Sequence, residues 1–211
     1  MNRRELLTAL GAAPVVSAAL RAEEEATPAP RHWAQIAPRE QIQRRFFPNL
    51  PLVTHDGREA RFYDDLIKDK MVLINFMYAT CTGVCPTVMT NLGRVRKILG
   101  DRVGRDIFIY SLTLKPQEDT VPVLADYARM HGLEPGWSLL TGKPEDVERL
   151  RHTLGFYDSN PELDRDTTNH VGIVRYGNEP LMRWGACPGM STPQWIAKSV
   201  LWVDWPRAAK G

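Results

Sequence analysis

Apolar and polar residues alternate along the middle of the chain with two different periods. Three apolar runs are short and rich in strand-forming side chains: Met71 to Met77, Ile107 to Leu114 and Trp137 to Leu140. Three segments that follow them repeat apolar residues every three or four positions and are predicted to be helices: 86–99, 120–130 and 141–154. Strands that alternate with helices favour an α/β fold, in which a central sheet is flanked by helices.

Two predicted hairpins flank this alternating core. The first occupies Phe46 to Phe62, where two short apolar segments surround an Asp56–Gly57 turn signal. A polar loop is predicted over 157–168. The second hairpin follows it, with strands at His170 to Tyr176 and Leu181 to Trp184 that a Gly177–Asn178 turn would join.

The first 22 residues have the layout of a secretory signal peptide. Arg3 and Arg4 precede a modest apolar centre, and small residues follow at Ser17 to Ala19, as in a cleavage region. The paired arginines indicate the twin-arginine export route of bacteria, whereas the alternative is a cytosolic helix with one apolar face. The sequence therefore predicts export to the bacterial periplasm, with contact to a membrane only through a partner or an uncleaved leader.

The rest of the chain is predicted to contain a linker, one domain and a short tail. Residues 23–44 are rich in Pro, Glu and Ala and are interpreted as the linker. The domain spans 45–203 and the tail 204–211. The 27 basic and 25 acidic residues give a formal net charge of +2 without a long basic run, so we do not expect nucleic-acid binding.

Two cysteines follow the first central strand. Cys81 and Cys85 lie four positions apart, and Pro86 suits the first turn of the next predicted helix. Positions i and i+4 share one face of a helix. A helix N-terminus also favours the thiolate, which is the form of cysteine that reacts and binds metal. The pair is expected at the carboxyl edge of the sheet, where open α/β sheets bind ligands.

The residues alone leave the role of this pair open. The two cysteines could be buried structural thiols, a redox dithiol, or ligands of a soft ion such as Cu(I), although the usual redox spacing is C-x-x-C. A peroxidase site with one activated cysteine, near Arg94 or Thr80, is a further alternative. Among five histidines, His170 is expected at the same sheet edge, because it opens a strand after the polar loop.

A third cysteine, Cys187, leaves the cysteine count odd. We interpret it as a small buried thiol. The alternatives are a transient disulfide and an additional sulfur ligand.

Three segments resemble the Sco/SenC family of thioredoxin-fold proteins: FMYATCTGVCPTVMTNL, SLTLKPQEDTVPVLADYARMHG and NHVGIVRYG. The resemblance covers roughly residues 45–203 and rests on Cys-x-x-x-Cys-Pro combined with a distant histidine before a strand. It implies a thioredoxin-like fold, with a central mixed sheet flanked by helices and an N-terminal hairpin. It also implies that Cys81, Cys85 and His170 bind a copper ion.

The resemblance further implies a copper chaperone, or a thiol-disulfide reductase, in assembly of the dinuclear copper centre of cytochrome c oxidase. The implied partners are a copper-receiving protein, namely a subunit of that oxidase, and a thioredoxin-like reductant. Our leading hypothesis is a copper-binding assembly factor that holds the ion at an exposed edge. The alternative is a thiol-disulfide oxidoreductase that uses Cys81 and Cys85 as a redox dithiol on a partner protein.

The sequence departs from the family pattern at two positions. Lys115 stands where the family often has Asp, and Asn169 stands where Asp usually precedes the histidine. A cation near the cysteines favours thiolate but repels a metal ion.

Overall fold

The computed structural model describes residues 38–165 and 172–205. Within these ranges the strands are β1 (Pro51–Thr54), β2 (Glu59–Arg61), β3 (Met71–Met77), β4 (Ile107–Thr113), β5 (Trp137–Thr141), β6 (Ile173–Asn178) and β7 (Arg183–Pro188). The helices are α1 (Pro38–Phe46), α2 (Cys85–Leu99), α3 (Val121–Met130), α4 (Pro144–Thr153), α5 (Pro161–Arg165) and α6 (Pro193–Trp202). The predicted signal peptide lies outside the described residues.

The strands form one mixed sheet in the order β2-β1-β5-β4-β3-β6-β7. The three central strands β5, β4 and β3 run parallel, and an antiparallel hairpin continues the sheet on each side. The first hairpin turns at Asp56 and Gly57, as its sequence predicts. The structure therefore confirms a central mixed sheet flanked by helices with an N-terminal hairpin.

Both faces of the sheet are covered by helical structure, so every residue of β3 is buried. Leu73 and Met77 point into one core cluster with apolar residues of α2, α3 and α6. Val72 and Ile74 point into the other, with residues of α4 and of the helical turn Phe62–Ile67. A strand that is buried on both sides has a continuous run of apolar residues in its sequence, and this is the pattern that predicts β3.

The second hairpin turns later than predicted. Gly177 and Asn178 belong to β6, and the chain reverses over 179–182, where the Met182 N–H donates to the Glu179 carbonyl at 2.9 Å. Gly177 is needed for packing, since a Cβ there would lie 2.0 Å from the Trp184 ring. The predicted turn at Gly177–Asn178 is therefore wrong.

The polar stretch after α4 contains the short helix α5, which the sequence did not predict. Its N-terminus is stabilised by Asn160, whose side-chain oxygen accepts from the Glu162 N–H at 3.0 Å. Arg151 of α4 holds this helix in place through an ion pair with Asp164, whose Oδ1 lies 2.6 Å from the Arg151 Nη1. Five residues without an apolar stripe carry no periodic signal, so only tertiary contacts reveal this helix.

Part of the predicted linker is ordered as α1. Arg39 bonds to the buried Glu179 carboxylate at 2.7 Å, while Tyr63 and the Asp69 N–H bond to the same group, each at 2.9 Å. Glu179 thus connects α1, the start of β3 and the β6–β7 turn.

Candidate metal and redox centre

The two cysteines lie between the end of β3 and the start of α2. Cys81 is in the connecting loop and Cys85 is the first residue of α2. A turn precedes them, in which the Cys81 N–H donates to the Tyr78 carbonyl at 3.1 Å. Pro86 occupies the first turn of the helix. A backbone N–H at this position would have no partner within the helix, so its absence in proline costs no hydrogen bond.

A buried carboxylate fixes the beginning of this loop. Asp119 accepts from the Ala79 N–H at 3.1 Å and from the Thr113 hydroxyl, at the end of β4, at 2.5 Å. Asp119 does not cap the helix that follows, because α3 begins after Thr120 without a side-chain cap. Asp119 therefore connects the cysteine loop to the neighbouring strand, a long-range role that local sequence patterns do not show.

Both cysteines are largely buried in this structure. Cys81 is 9% exposed and Cys85 is 2% exposed, which contradicts the expectation of an exposed pair. Cys85 is buried because it lies on the same face of α2 as Met89 and Leu92, which pack against the sheet. The apolar stripe of α2 thus begins one residue before Pro86.

Hydrogen bonds distinguish the two thiols. Burial alone would raise the pKa of Cys81. Its sulfur, however, accepts hydrogen bonds from the Cys85 thiol, from the N–H groups of Cys85 and Gly83, and from the Tyr78 hydroxyl. Together these bonds lower the pKa of Cys81 below its usual value. Burial, together with the bond to Cys81, raises the pKa of Cys85 to about 12. The structure therefore brings Cys81 and Cys85 together, with Cys81 favoured as the thiolate.

Lys115 lies beside this group. Its ammonium is 4.7 Å from the centre of the Tyr78 ring and 3.4 Å from the Glu118 carboxylate. Because Tyr78 bonds to Cys81, Lys115 is separated from that sulfur by a single side chain. The cation that replaces the family's Asp therefore belongs to the surroundings of the cysteines.

His170 and Asn169 lie outside the described residues, as does the predicted start of β6 at His170. The closest described neighbour in sequence is Gly172, where a Cβ would lie 3.5 Å from the Val84 side chain. Val84 directly precedes Cys85. Gly172, two residues after His170 in the sequence, therefore lies beside the cysteine loop.

Cys187 occupies a separate position in the same core cluster. It is 3% exposed on β7 opposite Val174, and burial raises its pKa to about 11. The structure thus agrees with a small buried thiol.

Three other histidines have neighbours that explain them. His55 accepts from the Leu139 N–H at 3.2 Å, His131 stacks on Tyr127, and His152 lies 3.0 Å from Glu148. His32 lies outside the described residues. Glu148, His152 and Asp164 are close enough to share an ion, but Arg151 already bonds to both carboxylates.

A groove of about 430 Å³ begins at Pro86 and runs between α2 and the segment 127–137. Arg94 and Lys97 line it as exposed cations, while Arg96 is bonded to Glu134 at 2.5 Å. Tyr127 also lines it, and burial and the nearby cysteines raise its pKa to about 12. The surface next to the cysteines is therefore basic.

Residues 38–176 match the model of the SCO1/SenC family. Among curated proteins, a SCO2-like protein of Rickettsia prowazekii is 24% identical over 121 residues, which are 57% of this chain and 58% of that protein. The chain spans about half the length of the curated relatives it matches.

Solved structures share the fold. Bradyrhizobium japonicum ScoI with copper bound gives a TM-score of 0.58 at 22% identity, covering 72% of this chain and 96% of that one. Yeast Sco1 with copper bound gives a TM-score of 0.60 at 18% identity, and the alignment covers 76% of this chain and 88% of that one. Among the helices of the two described ranges, none is both long and apolar enough to span a membrane.

Proposed function

Because the chain belongs to the SCO1/SenC family, we propose that it binds copper through Cys81, Cys85 and His170 and delivers it during assembly of cytochrome c oxidase. Relatives of the same fold have been solved with copper bound, which supports copper as the metal. We further propose that residues 1–22 direct export to the periplasm by the twin-arginine route and that 23–37 link this leader to the domain.

The observation that carries the proposal is the hydrogen-bonded cysteine pair at the start of α2. The Cys85 thiol donates to the Cys81 sulfur, which also accepts from backbone N–H groups and is favoured as the thiolate. A cation that binds both sulfurs would displace the Cys85 proton. Thiolates are soft ligands that select Cu(I), so the donor set fits this ion. Metal binding would release the thiol protons and should therefore weaken at low pH.

The third ligand is proposed from the position of the neighbouring chain. A Cβ at Gly172 would lie 3.5 Å from the Val84 side chain, and two residues of extended chain span at most about 7 Å. The two residues from Gly172 back to His170 are thus a short enough connection for the imidazole to reach the cysteine loop. An imidazole adds a ligand of intermediate softness to two thiolates.

Delivery requires a partner that receives the ion and a means of keeping the cysteines reduced. We propose a copper-binding subunit of the oxidase as the receiver and a thioredoxin-like protein as the reductant. Oxidation of Cys81 and Cys85 to a disulfide would remove both sulfur ligands, so the redox state of the pair would control binding.

The second candidate is a thiol-disulfide oxidoreductase, and the difference between the two thiols favours it. Cys81, the thiolate-favoured sulfur, would attack a partner disulfide and release one partner thiolate. Cys85 would then displace the second partner sulfur, so that the partner gains two electrons and the pair becomes a disulfide. This activity has no need of His170.

Metal titration of the fully reduced chain would separate the two candidates. We expect one Cu(I) per chain, with affinity reduced about 100-fold or more in Cys81→Ser, Cys85→Ser and His170→Ala, because each removes a ligand. Cys187→Ser and His152→Ala serve as controls and should retain the affinity. Copper binding that survives His170→Ala, together with full disulfide exchange, would favour the oxidoreductase.

A further inference from the structure

A second cavity lies on the face of the sheet opposite the cysteines. Arg175 of β6 and Trp184 of β7 project to this face, whereas Val174 and Cys187 project into the cluster that contains Cys81 and Cys85. The cavity has a volume of about 260 Å³ and lies between α1, the end of α4 and the β6–β7 hairpin. It is therefore separate from the proposed copper centre.

Apolar side chains form most of the wall, and one cation lines it. Ile42 and Phe46 of α1 and Leu154 after α4 line the cavity together with Arg175. Burial lowers the pKa of Arg175, and no described carboxylate offsets this effect. A cation in such surroundings favours an anion that can pair with it.

The absence of a partner sets Arg175 apart from other half-buried arginines of the described residues. Arg96 bonds to Glu134, Arg102 bonds to two aspartates, and Arg151 bonds to Glu148 and Asp164. Arg175 has no ion pair within the described ranges. Its Nε lacks a hydrogen-bond partner, as does one guanidinium nitrogen of Arg96 and one of Arg102, but those two arginines are paired with carboxylates. The fold pairs buried guanidinium groups elsewhere and leaves this one for an acceptor that the described chain does not supply.

A second donor near the cavity is also unpartnered. The Trp184 indole N–H is buried without an acceptor. Both side chains are held in place, because Trp184 packs on Gly177 and 4.4 Å from the Phe47 ring, while Arg175 lies against Gly155. The Arg175 guanidinium is therefore a fixed cation at the wall of the cavity, and a guanidinium can form charge-assisted bonds with a carboxylate.

We infer that this cavity binds a small amphipathic carboxylate, whose head group pairs with Arg175 and whose apolar body lies against Ile42, Phe46 and Leu154. Its volume equals that of roughly nine water molecules, which suits an acyl chain of medium length. The inference does not depend on copper binding, since the two sites lie on opposite faces of the sheet.

Calorimetric titration of the full chain with octanoate tests the inference, with 1-octanol as the neutral analogue. We expect saturable binding of one octanoate per chain, about tenfold tighter than 1-octanol, because a charge-assisted bond is lost in the alcohol. Arg175→Gln should reduce the octanoate affinity to that of the alcohol. Ile42→Glu places a carboxylate at an exposed position of the wall and should lower the affinity for octanoate by about tenfold.

Arg183→Gln is the matched control. Arg183 is an exposed arginine on the same hairpin that does not line the cavity, so its loss should leave octanoate binding unchanged. Equal binding of octanoate and 1-octanol, or affinity that survives Arg175→Gln in a folded variant, would overturn the inference.

One competing occupant is the chain itself. Glu23, Glu24 and Glu25 form an acidic run outside the described residues. If octanoate binds only after all three are changed to Gln in the full chain, the cavity holds this run and the inference about a small ligand is wrong.

Discussion

At the scale of single residues, Lys115 is the departure from the family pattern with the clearest consequence for copper. Its ammonium lies on Tyr78, which bonds to Cys81, so it repels a cation bound at the cysteines. Lys115→Met keeps the apolar stem and removes the charge. We expect the Cu(I) affinity of the reduced protein to rise about twofold to fivefold, since a half-exposed charge is partly screened.

Competition titration with a Cu(I) chelator would measure this change. Lys68→Met is the control, because Lys68 is exposed and precedes β3, whereas the cysteines follow it. An affinity that is unchanged or lower in Lys115→Met would mean that the ammonium does not act on the metal.

Asp119 also acts at the residue scale, through the position of the cysteine loop. Oδ2 of Asp119 accepts from both the Ala79 N–H and the Thr113 hydroxyl, so Asp119→Asn removes the negative charge that strengthens both bonds. We expect the free energy of unfolding to fall by about 1–3 kcal/mol in urea titrations.

The exposed Asp126 of α3 provides the comparison for Asp119. Asp126→Asn removes only a surface pair with Arg129 and should change stability by less than about 0.5 kcal/mol. Similar losses in both variants would contradict the anchoring role of Asp119.

At the scale of secondary-structure elements, two glycines should respond to alanine with opposite signs. A Cβ at Gly177 in β6 would overlap the Trp184 ring, so Gly177→Ala should destabilise the protein by about 1–3 kcal/mol. Gly93 lies inside α2, where a Cβ would have only a 3.9 Å contact with Trp137. Gly93→Ala should therefore stabilise by about 0.5–1 kcal/mol.

Thermal unfolding monitored by circular dichroism would compare the two glycine variants. The packing explanation for Gly177 would be refuted by equal transition temperatures for Gly177→Ala and the unaltered protein. No change in Gly93→Ala would instead mean that the Trp137 contact offsets the gain in helix propensity.

Elements with a strong periodic signal were predicted well, and the failures have identifiable physical causes. The runs that form β3, β4 and α2 are long and apolar, so tertiary packing reinforces their local pattern. Gly177 was misread because a glycine that accommodates an indole resembles a turn glycine in sequence. The burial of Cys85 and the bonds of Asp119 depend on partners distant in sequence, which one chain does not reveal without its fold.

At the scale of the whole molecule, acid should weaken the attachment of α5. Bonds from Arg151 lower the pKa of Asp164 from 3.8 to about 2. A carboxyl whose pKa is lowered by folding contributes stability above its unfolded pKa, and this contribution is lost as the pH falls through the folded pKa. We expect Asp164 to contribute about 1–2 kcal/mol above pH 4, most of it lost near pH 2.

Unfolding free energies measured across this pH range would show the contribution as a difference between the protein and Asp164→Asn. The difference should be largest above about pH 4 and should close towards pH 2. Asp101→Asn, at an exposed position, controls for the loss of one negative charge. A difference that does not depend on pH would exclude the ion pair as its source.

The position of β6 in the sheet has a consequence for where the protein can be divided. The family match ends at residue 176, inside β6, yet β7 and α6 follow it. Ile196 and Val200 of α6 belong to the core cluster of Cys85 and cover α2. A fragment cut at residue 176 would leave this apolar face bare and β6 without its neighbour, so it should aggregate rather than fold. The stretch that matches the family model is therefore shorter than the unit that must fold together.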